Sequence, residues 1–417
     1  MTALARKLQS RKHEVVFVGV PDAEPIVRAA NLDFVPFGEK EYPVGSVAKE
    51  YAALAMLHGE DVIKYSAHEI HPKRCQVALE QLPEKLVETG VEALVIDTVY
   101  FPVELVPMSM GMPYVHIWNV LHVDGSGATP PCFFSWPHET TPKALARNVE
   151  GLKKIRSHYG SILAVAQSYA ERKGLDWNNQ IATVSELAVI TQTPKEFDFP
   201  GAPWPVQFHY AGPFQDDTAR EPIPFPWEKL TGEPLIYASM GTLVNGLDQV
   251  FRTILDAVRA IPESQLVLSV GNNLNIADLG LIPSNAIVLN RVPQIEVLKR
   301  AALCITHAGV NTTLESLSEG VPMVAIPIGF DQPGLAARIA YHGVGEFIEV
   351  EELTQERLSK LIQKVLQNHG YRDKARYFQK VIAETHGLDI AADVIEQAFS
   401  KNRSADKTER HARLSRA

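Results

Sequence analysis

The stretch LCITHAGVNTTLESLSEGVPMVAIPIGFDQPG, residues 303–334, carries polar side chains whose types and order suit a single ligand. Leu303 to Thr306 reads as a buried strand, a helix begins near Asn311, and His307 and Gly309 lie in the turn between them. A strand that feeds a glycine-containing turn and then a helix presents unpaired backbone N–H groups and the positive end of the helix dipole, which favours a phosphate. Gly309 removes a Cβ where the chain must come close to a ligand. Asn311 and Thr312 add donors at the helix start, and Glu315, four residues after Asn311, shares its helix face, where a carboxylate accepts from ribose hydroxyls. After the next strand come Asp331 and Gln332, a short carboxylate and an amide suited to the hydroxyls of a sugar. Singly, each residue admits a plainer reading: Asn311 or Thr312 as a helix cap, Glu315 as a solvated residue, His307 as a hydrogen-bonded loop histidine. Jointly they fall at the carboxyl ends of two strands, where open α/β sheets bind ligands.

The elements that must position these residues follow from alternation of short apolar runs with longer amphipathic stretches, the pattern of βα units on parallel sheets. Strands are expected at Glu14 to Gly19, Ala93 to Asp97, Tyr114 to Trp118 and Leu187 to Thr191 in the first half. In the second half they are expected at Leu235 to Ser239, Gln265 to Val270, Ile287 to Asn290, Leu303 to Thr306 and Met323 to Ile326. One long helical stretch spans Thr141 to about Lys173, and further helices fall near 248–261, 311–319, 332–342 and 354–368. A proline-dense run, GAPWPVQFHYAGPFQDDTAREPIPFPWEKL, reads as a connector, because proline fixes φ and removes a donor. The expected organisation is an N-terminal domain over 1–210, a linker over 211–232, a second domain over 233–385, a C-terminal helix over 386–400 and a frayed polar tail over 401–417. Residues 2–9, TALARKLQ, read as a helix with Leu4 and Leu8 on one face. A doubly wound sheet opens on a strand, so the N-terminal sheet is expected to lack its first one.

Composition removes several classes of function. A formal charge of −9 and a pI near 5.9 leave no basic footprint for nucleic acid. Cys75, Cys132 and Cys304 are far apart and suit a reducing compartment, with neither a disulfide framework nor a zinc site. No window approaches the ~18 apolar residues of a membrane span. The opening MTALARKLQSRKHE lacks the apolar core of a secretory signal, so a cytoplasmic protein is expected, able to meet a membrane-resident acceptor at the surface. No Asp-x-Asp pair is present to hold Mg²⁺ between phosphates, and neither metal nor cofactor is expected.

The pattern H-x-G-x-N-T-x-x-E, then G-V-P-M, then D-Q across about 30 residues resembles the signature of glycosyltransferase family 1, the UDP-glycosyltransferases of the GT-B fold. The stretches ASMGTLVNGLDQVFRTI and DQPGLAARIAYHGVGE look most like its zeaxanthin glucosyltransferase branch. The resemblance implies two Rossmann-like doubly wound domains facing a central cleft. It implies an inverting O-glycosyltransferase that moves a hexose, glucose first, from a UDP-sugar substrate to a hydroxyl of an apolar small molecule, a carotenoid-type alcohol first. His307 would donate to the α-phosphate, Asn311 and Thr312 would hold the β-phosphate, Glu315 the ribose, and Asp331 and Gln332 the hexose. NRVPQIEVL matches the family's W-x-P-Q stretch, so Val292 and Gln294 would meet the base edge or ribose. Arg291 would stack on the base where plant members have tryptophan, which weakens the uracil assignment. Ser239-Met240-Gly241-Thr242 matches a phosphate loop, with Thr242 a hydroxyl donor.

Inverting members use a histidine that removes the acceptor proton and an aspartate that orients it. Asp97, in ALVIDTVYF, matches the aspartate. The histidine belongs to a G-H-x-x-P motif that would fall about four residues before Met1, while His13 matches a structural position. Met1 is therefore expected to be an internal methionine of a longer protein. The alternative is a nucleotide-sugar-binding protein impaired in transfer; a third is an enzyme of the same fold that rearranges the sugar nucleotide. Trp118, His122, Phe133, Phe134 and Trp136 lie beyond a strand end and are acceptor-site candidates; the aromatics read equally well as core.

Overall fold

The computed structural model describes residues 1–100, 102–177, 185–216, 222–243, 245–272 and 274–414, with side chains described up to Lys401, Tyr100 excepted. Every strand pairing among them is parallel. In the N-terminal half, β1 (Val16–Gly19) pairs with β2 (Asp33–Pro36). A separate sheet runs in the order β3 (Leu94–Asp97), β4 (Tyr114–Trp118), β5 (Val189–Thr191) and β6 (Phe208–Tyr210). No strand among the described residues joins the two pieces, so the sheet is interrupted between β1 and β3. Helix α1 (Thr2–Ser10) bridges the interruption: Leu4 and Leu8 pack with Val115 and Ile117 of β4, and Ala5 with Val27 and Phe34.

The C-terminal half holds six strands, β7 (Leu235–Ser239), β8 (Gln265–Ser269), β9 (Ala286–Leu289), β10 (Ala301–Thr306), β11 (Met323–Ala325) and β12 (Gly345–Phe347). Their spatial order is β12-β11-β10-β7-β8-β9. The chain winds outward from β7 in one direction and from β10 in the other, so the topological switch lies between these neighbours, with Ser239 opposite Thr306. Both strands are buried almost throughout, as expected of parallel strands covered on both faces.

The expected strands and helices form with shifts of one to a few residues at their ends. The long helical stretch divides at Tyr159 into α2 (Pro142–His158) and α3 (Gly160–Lys173), and the Thr141 hydroxyl caps the first by accepting from Ala144 N–H at 3.2 Å. Three strands went unread in the sequence: β2, β6 and β12, each of three or four residues. β6 lies within the proline-dense run that read as a connector, and it is an edge strand, where flanking prolines are tolerated. The linker expected over 211–232 includes residues 217–221, which lie outside the described residues.

The largest departure is at the C-terminus. Helix α6 spans Gly387–Leu414, past the point where a frayed tail was expected; residues 415–417 lie outside the described residues. KNRSADKTERHARL contains neither proline nor glycine and is rich in helix formers, so nothing in it ends the helix. The helix leaves the second domain and packs on the first, where Ala391, Ala392, Ile395 and Ala398 join Leu4, Leu8, Val115, Ile117 and Ile190 in one core. Arg11 ties the helices together outside, reaching Asp389 at 2.9 Å, Asp393 at 2.5 Å and Glu396 at 3.1 Å.

Candidate active site

Three loops leave the carboxyl ends of β7, β10 and β11 side by side: Met240 to Thr242, His307 to Gly309, and Ile326 to Asp331. Helix α4 (Val310–Ser318) begins behind the second, with Gly309 as its N-cap residue and no side-chain cap. The capping reading of Asn311 and Thr312 is therefore not realised, and the helix start remains available to an anion. Ala308 holds a left-handed backbone at φ 63° and Phe330 at φ 55°, two non-glycine residues in a costly region, one in each loop. His307 Nε2 lies between Gly241 and Gly309, and a Cβ at either position would collide with the ring. Burial pushes the His307 pKa down to about 4, with the Ser239 carbonyl acting the other way, so the imidazole is neutral at pH 7. Its Nδ1 is buried and has no hydrogen-bond partner among the described residues.

Behind the helix start, Gln294 Nε2 donates to Glu315 Oε2 at 2.5 Å and lies 3.4 Å from Thr312 Oγ1, and its Oε1 accepts from Tyr237 O–H at 2.6 Å. Gln294 and Glu315 thus act as one unit. Thr312 is buried and turned towards Gln294, whereas Asn311 is exposed. Arg291 and Thr242 are exposed at the rim, and Val292 points into the core, which leaves its backbone for any contact.

Helix α5 (Gln332–Tyr341) opens on the third loop. Gln332 Oε1 accepts from the N–H groups of Ile328 and Gly329 at 2.8 and 3.1 Å, so only its amide nitrogen faces other partners. Asp331 Oδ2 accepts from Leu121 N–H at 2.7 Å, a contact from the other domain, and burial raises its pKa.

The N-terminal domain meets this edge with its own strand ends. Asp97 closes β3 and accepts from Asn119 Nδ2 at 2.7 Å and Val99 N–H at 3.2 Å. Burial raises its pKa, while Asn119, Val99 and the Met1 ammonium oppose the rise. The hydrogen-bond partners of Asp97 among the described residues are thus a side-chain amide and a backbone N–H. Gln192, one residue past β5, reaches Asn119 O and Asn311 Oδ1, both at 3.3 Å, and so links the two halves. Asn119 and Gln192 were missed, though each directly follows a strand end.

Phe133, Phe134 and Trp136 border a cavity of about 240 Å³ that also touches Pro333 at the start of α5. Phe134 stacks on Trp136 at 4.0 Å, and Gly151 leaves room for both rings. Trp118 is half-buried at the end of β4 and does not line this cavity. His122, expected at the acceptor, is 2% exposed, with Nε2 2.7 Å from Asp198. Its burial in a polar network removes it from any acceptor surface. The three cysteines are buried and unpaired.

Residues 186–391 match the family described as UDP-glucoronosyl and UDP-glucosyl transferase. The zeaxanthin glucosyltransferase of Pantoea ananas is 26% identical over 403 residues, 95% of this chain and 92% of that protein. The zeaxanthin glucosyltransferase of Pseudescherichia vulneris is 30% identical over 345 residues, 79% of each. Among solved structures, the glycotransferase of kitacinnamycin superposes with a TM-score of 0.72 at 23% identity, covering 95% of this chain and 94% of that one. The glycosyltransferase VinC in complex with DTDP gives 0.66 at 17% identity and 96% of each chain. These structural likenesses speak to the fold, two parallel-sheet domains meeting at their strand ends, and the sequence matches to the chemistry. The chain belongs to the UDP-glucoronosyl and UDP-glucosyl transferase family and is a glycosyltransferase of the GT-B fold.

Proposed function

We propose that this glycosyltransferase moves glucose from UDP-glucose to a hydroxyl of an apolar, carotenoid-like acceptor, with inversion at the anomeric carbon. The observation that carries the reading is the uncapped start of α4 beside neutral His307, with the Gln294–Glu315 pair behind it. N–H groups and the helix dipole would hold the diphosphate and take up its charge as it leaves. Glu315 would accept from the ribose, Asp331 and the Gln332 amide would meet the hexose, and the cavity at Phe133, Phe134 and Trp136 would take the acceptor. The relatives named for zeaxanthin support a carotenoid-type alcohol. We place the protein in the cytoplasm, meeting such an acceptor at a membrane surface; no described helix is long and apolar enough to cross one.

Binding isotherms test the donor assignment. Asp331→Ala should weaken UDP-glucose and leave UDP within about twofold, whereas Glu315→Ala should weaken both, each lost hydrogen bond costing about 0.5–1.5 kcal/mol and more for a charged group. Equal loss of UDP affinity in both variants would contradict the assignment. Donor affinity should also survive EDTA, because N–H groups and His307 replace a bridging cation; recovery of lost binding on adding Mg²⁺ would refute this.

A second reading is binding without transfer: the hydrogen-bond partners of Asp97 among the described residues are Asn119 and Val99, neither of which can act as a base. Calorimetry with UDP-glucose beside a turnover assay separates the two. Binding with neither transfer nor hydrolysis selects the second.

A further inference from the structure

Inside the junction of the domains, one carboxylate of the N-terminal half gathers five donors. Asp198 Oδ1 accepts from Arg338 Nε at 3.0 Å, from Arg338 Nη2 at 2.7 Å and from Phe199 N–H at 2.8 Å. Asp198 Oδ2 accepts from Tyr210 O–H at 2.5 Å and from His122 Nε2 at 2.7 Å. Asp198, Arg338 and His122 are respectively 6%, 2% and 2% exposed. His122 Nδ1 lies 3.3 Å from the Thr191 hydroxyl, which suits the tautomer that donates to Asp198. A buried ion pair adds little net stability over an apolar replacement of the same shape, so the geometry it imposes is the better account of it.

That geometry has one destination. Arg338 is on α5, and its Nη1 donates to Gly334 O at 3.0 Å, so Asp198 grips the helix that opens on Gln332. His122 follows Leu121, whose N–H donates to Asp331 Oδ2, so the same carboxylate also fixes the loop that holds Asp331. Between them Gly334 N–H donates to Cys132 O at 2.8 Å, and a Cβ on Gly334 would meet the Cys132 backbone. One route runs through His122 and Leu121 to the Asp331 carboxylate, the other through Arg338 to the α5 backbone beside Gln332.

We propose that Asp198 is a positioning residue for the sugar end of the donor site, acting across the domain junction through Arg338 and His122 on Asp331 and Gln332. The proposal rests on reading Asp331 and Gln332 as the hexose contacts. It sets the nucleoside diphosphate and the hexose apart: the start of α4 would hold the diphosphate and Glu315 the ribose without Asp198, whereas the hexose depends on the fit between domains.

The test uses the full chain and two probes, UDP and UDP-glucose, titrated by calorimetry into the wild type, Asp331→Ala, Asp198→Asn, Arg338→Met and Arg338→Lys. The readout is the ratio of the UDP-glucose Kd to the UDP Kd. Asp198→Asn keeps the shape and removes the charge; it should raise the ratio about tenfold with UDP affinity within twofold, as expected when a charged hydrogen bond is weakened. Arg338→Met should do the same, and Arg338→Lys should restore part of the loss. Where Arg338→Met does not fold, Asp198→Asn and Arg338→Lys carry the test. An unchanged ratio in Asp198→Asn, with a raised ratio in Asp331→Ala, overturns the proposal alone. Parallel loss of both affinities in Asp198→Asn also overturns it, since that would mean general loosening. A ratio unmoved by Asp331→Ala would instead sink the hexose assignment beneath it.

Discussion

Replacing His307 by alanine is expected to lower kcat/KM for UDP-glucose by about 10²–10³-fold, the usual cost of losing a preorganised donor aimed at developing charge. The ring is held by geometry: Gly241 and Gly309 leave a slot for it, and the left-handed Ala308 turns the chain into α4 immediately behind it. Its Nδ1 has no hydrogen-bond partner among the described residues, an unmet buried polar atom that a bound ligand could satisfy. His307→Gln, which retains an N–H near the same place, should recover roughly a tenth or more of the lost rate. Because the pKa is already near 4, donor affinity should be flat from pH 6 to 8 as far as His307 is concerned. The check is UDP release with a dihydroxy carotenoid as acceptor; loss of less than threefold in His307→Ala would remove the residue from the chemistry.

The second large effect is on stability in mild acid. Burial holds His116 and His307 near pKa 4, and the His116 Nδ1 accepts from Ser185 N–H at 3.0 Å, which fixes its neutral form. In the unfolded chain both titrate near 6.5, so between pH 6.5 and 4 the unfolded state binds more protons and stability is lost as pH falls. Each histidine contributes about 2 kcal/mol of loss by pH 5 and about 3 kcal/mol by pH 4. Asp198 adds to the trend lower down: burial alone would raise its pKa, but His122 and Arg338 hold it below the carboxylate range, and that stability goes only as pH falls beneath its ordinary 3.8. Denaturant unfolding at pH 7.5 and 5.0 should show a drop of at least roughly 4 kcal/mol, the share of these two histidines, since burial also lowers His71 and His342 to about 4. An unchanged midpoint would contradict the buried neutral state, and His116→Gln should reduce the drop by about 2 kcal/mol.

The strand–turn–helix unit that carries the donor-site candidates was legible because its residues are consecutive in sequence. His307, Gly309, Asn311, Thr312 and Glu315 share one strand–turn–helix unit, whose periodicity shows in the sequence. Asp331 and Gln332 follow from the next unit by the same rule. Asp198 and Arg338 were not legible, since nothing local relates residues 140 positions apart; only an arginine in the apolar stripe Leu335, Ala336, Ile339 hinted that a buried partner was needed. His122 was assigned to the acceptor because it follows a strand end, a rule that places a residue at an edge without saying which neighbour covers it. β2 and β12 escaped because DFVP and GEF put proline, glycine and charged residues into three or four positions and leave no apolar run, and β6 was hidden by the prolines around it.

The return of α6 to the first domain has a consequence for synthesis on the ribosome. The face made by Leu4, Leu8, Val115, Ile117 and Ile190 gains its cover only when Ala391 to Ala398 emerge. At translation rates of about 5–20 residues per second, the nascent N-terminal domain waits roughly 10–40 s after Ala211 is made. During that wait it carries an uncovered apolar face, a surface that a chaperone holds well. Release of the last helix therefore covers the open face of the first domain, and the amino-terminal half is committed to its final packing by the residues made last.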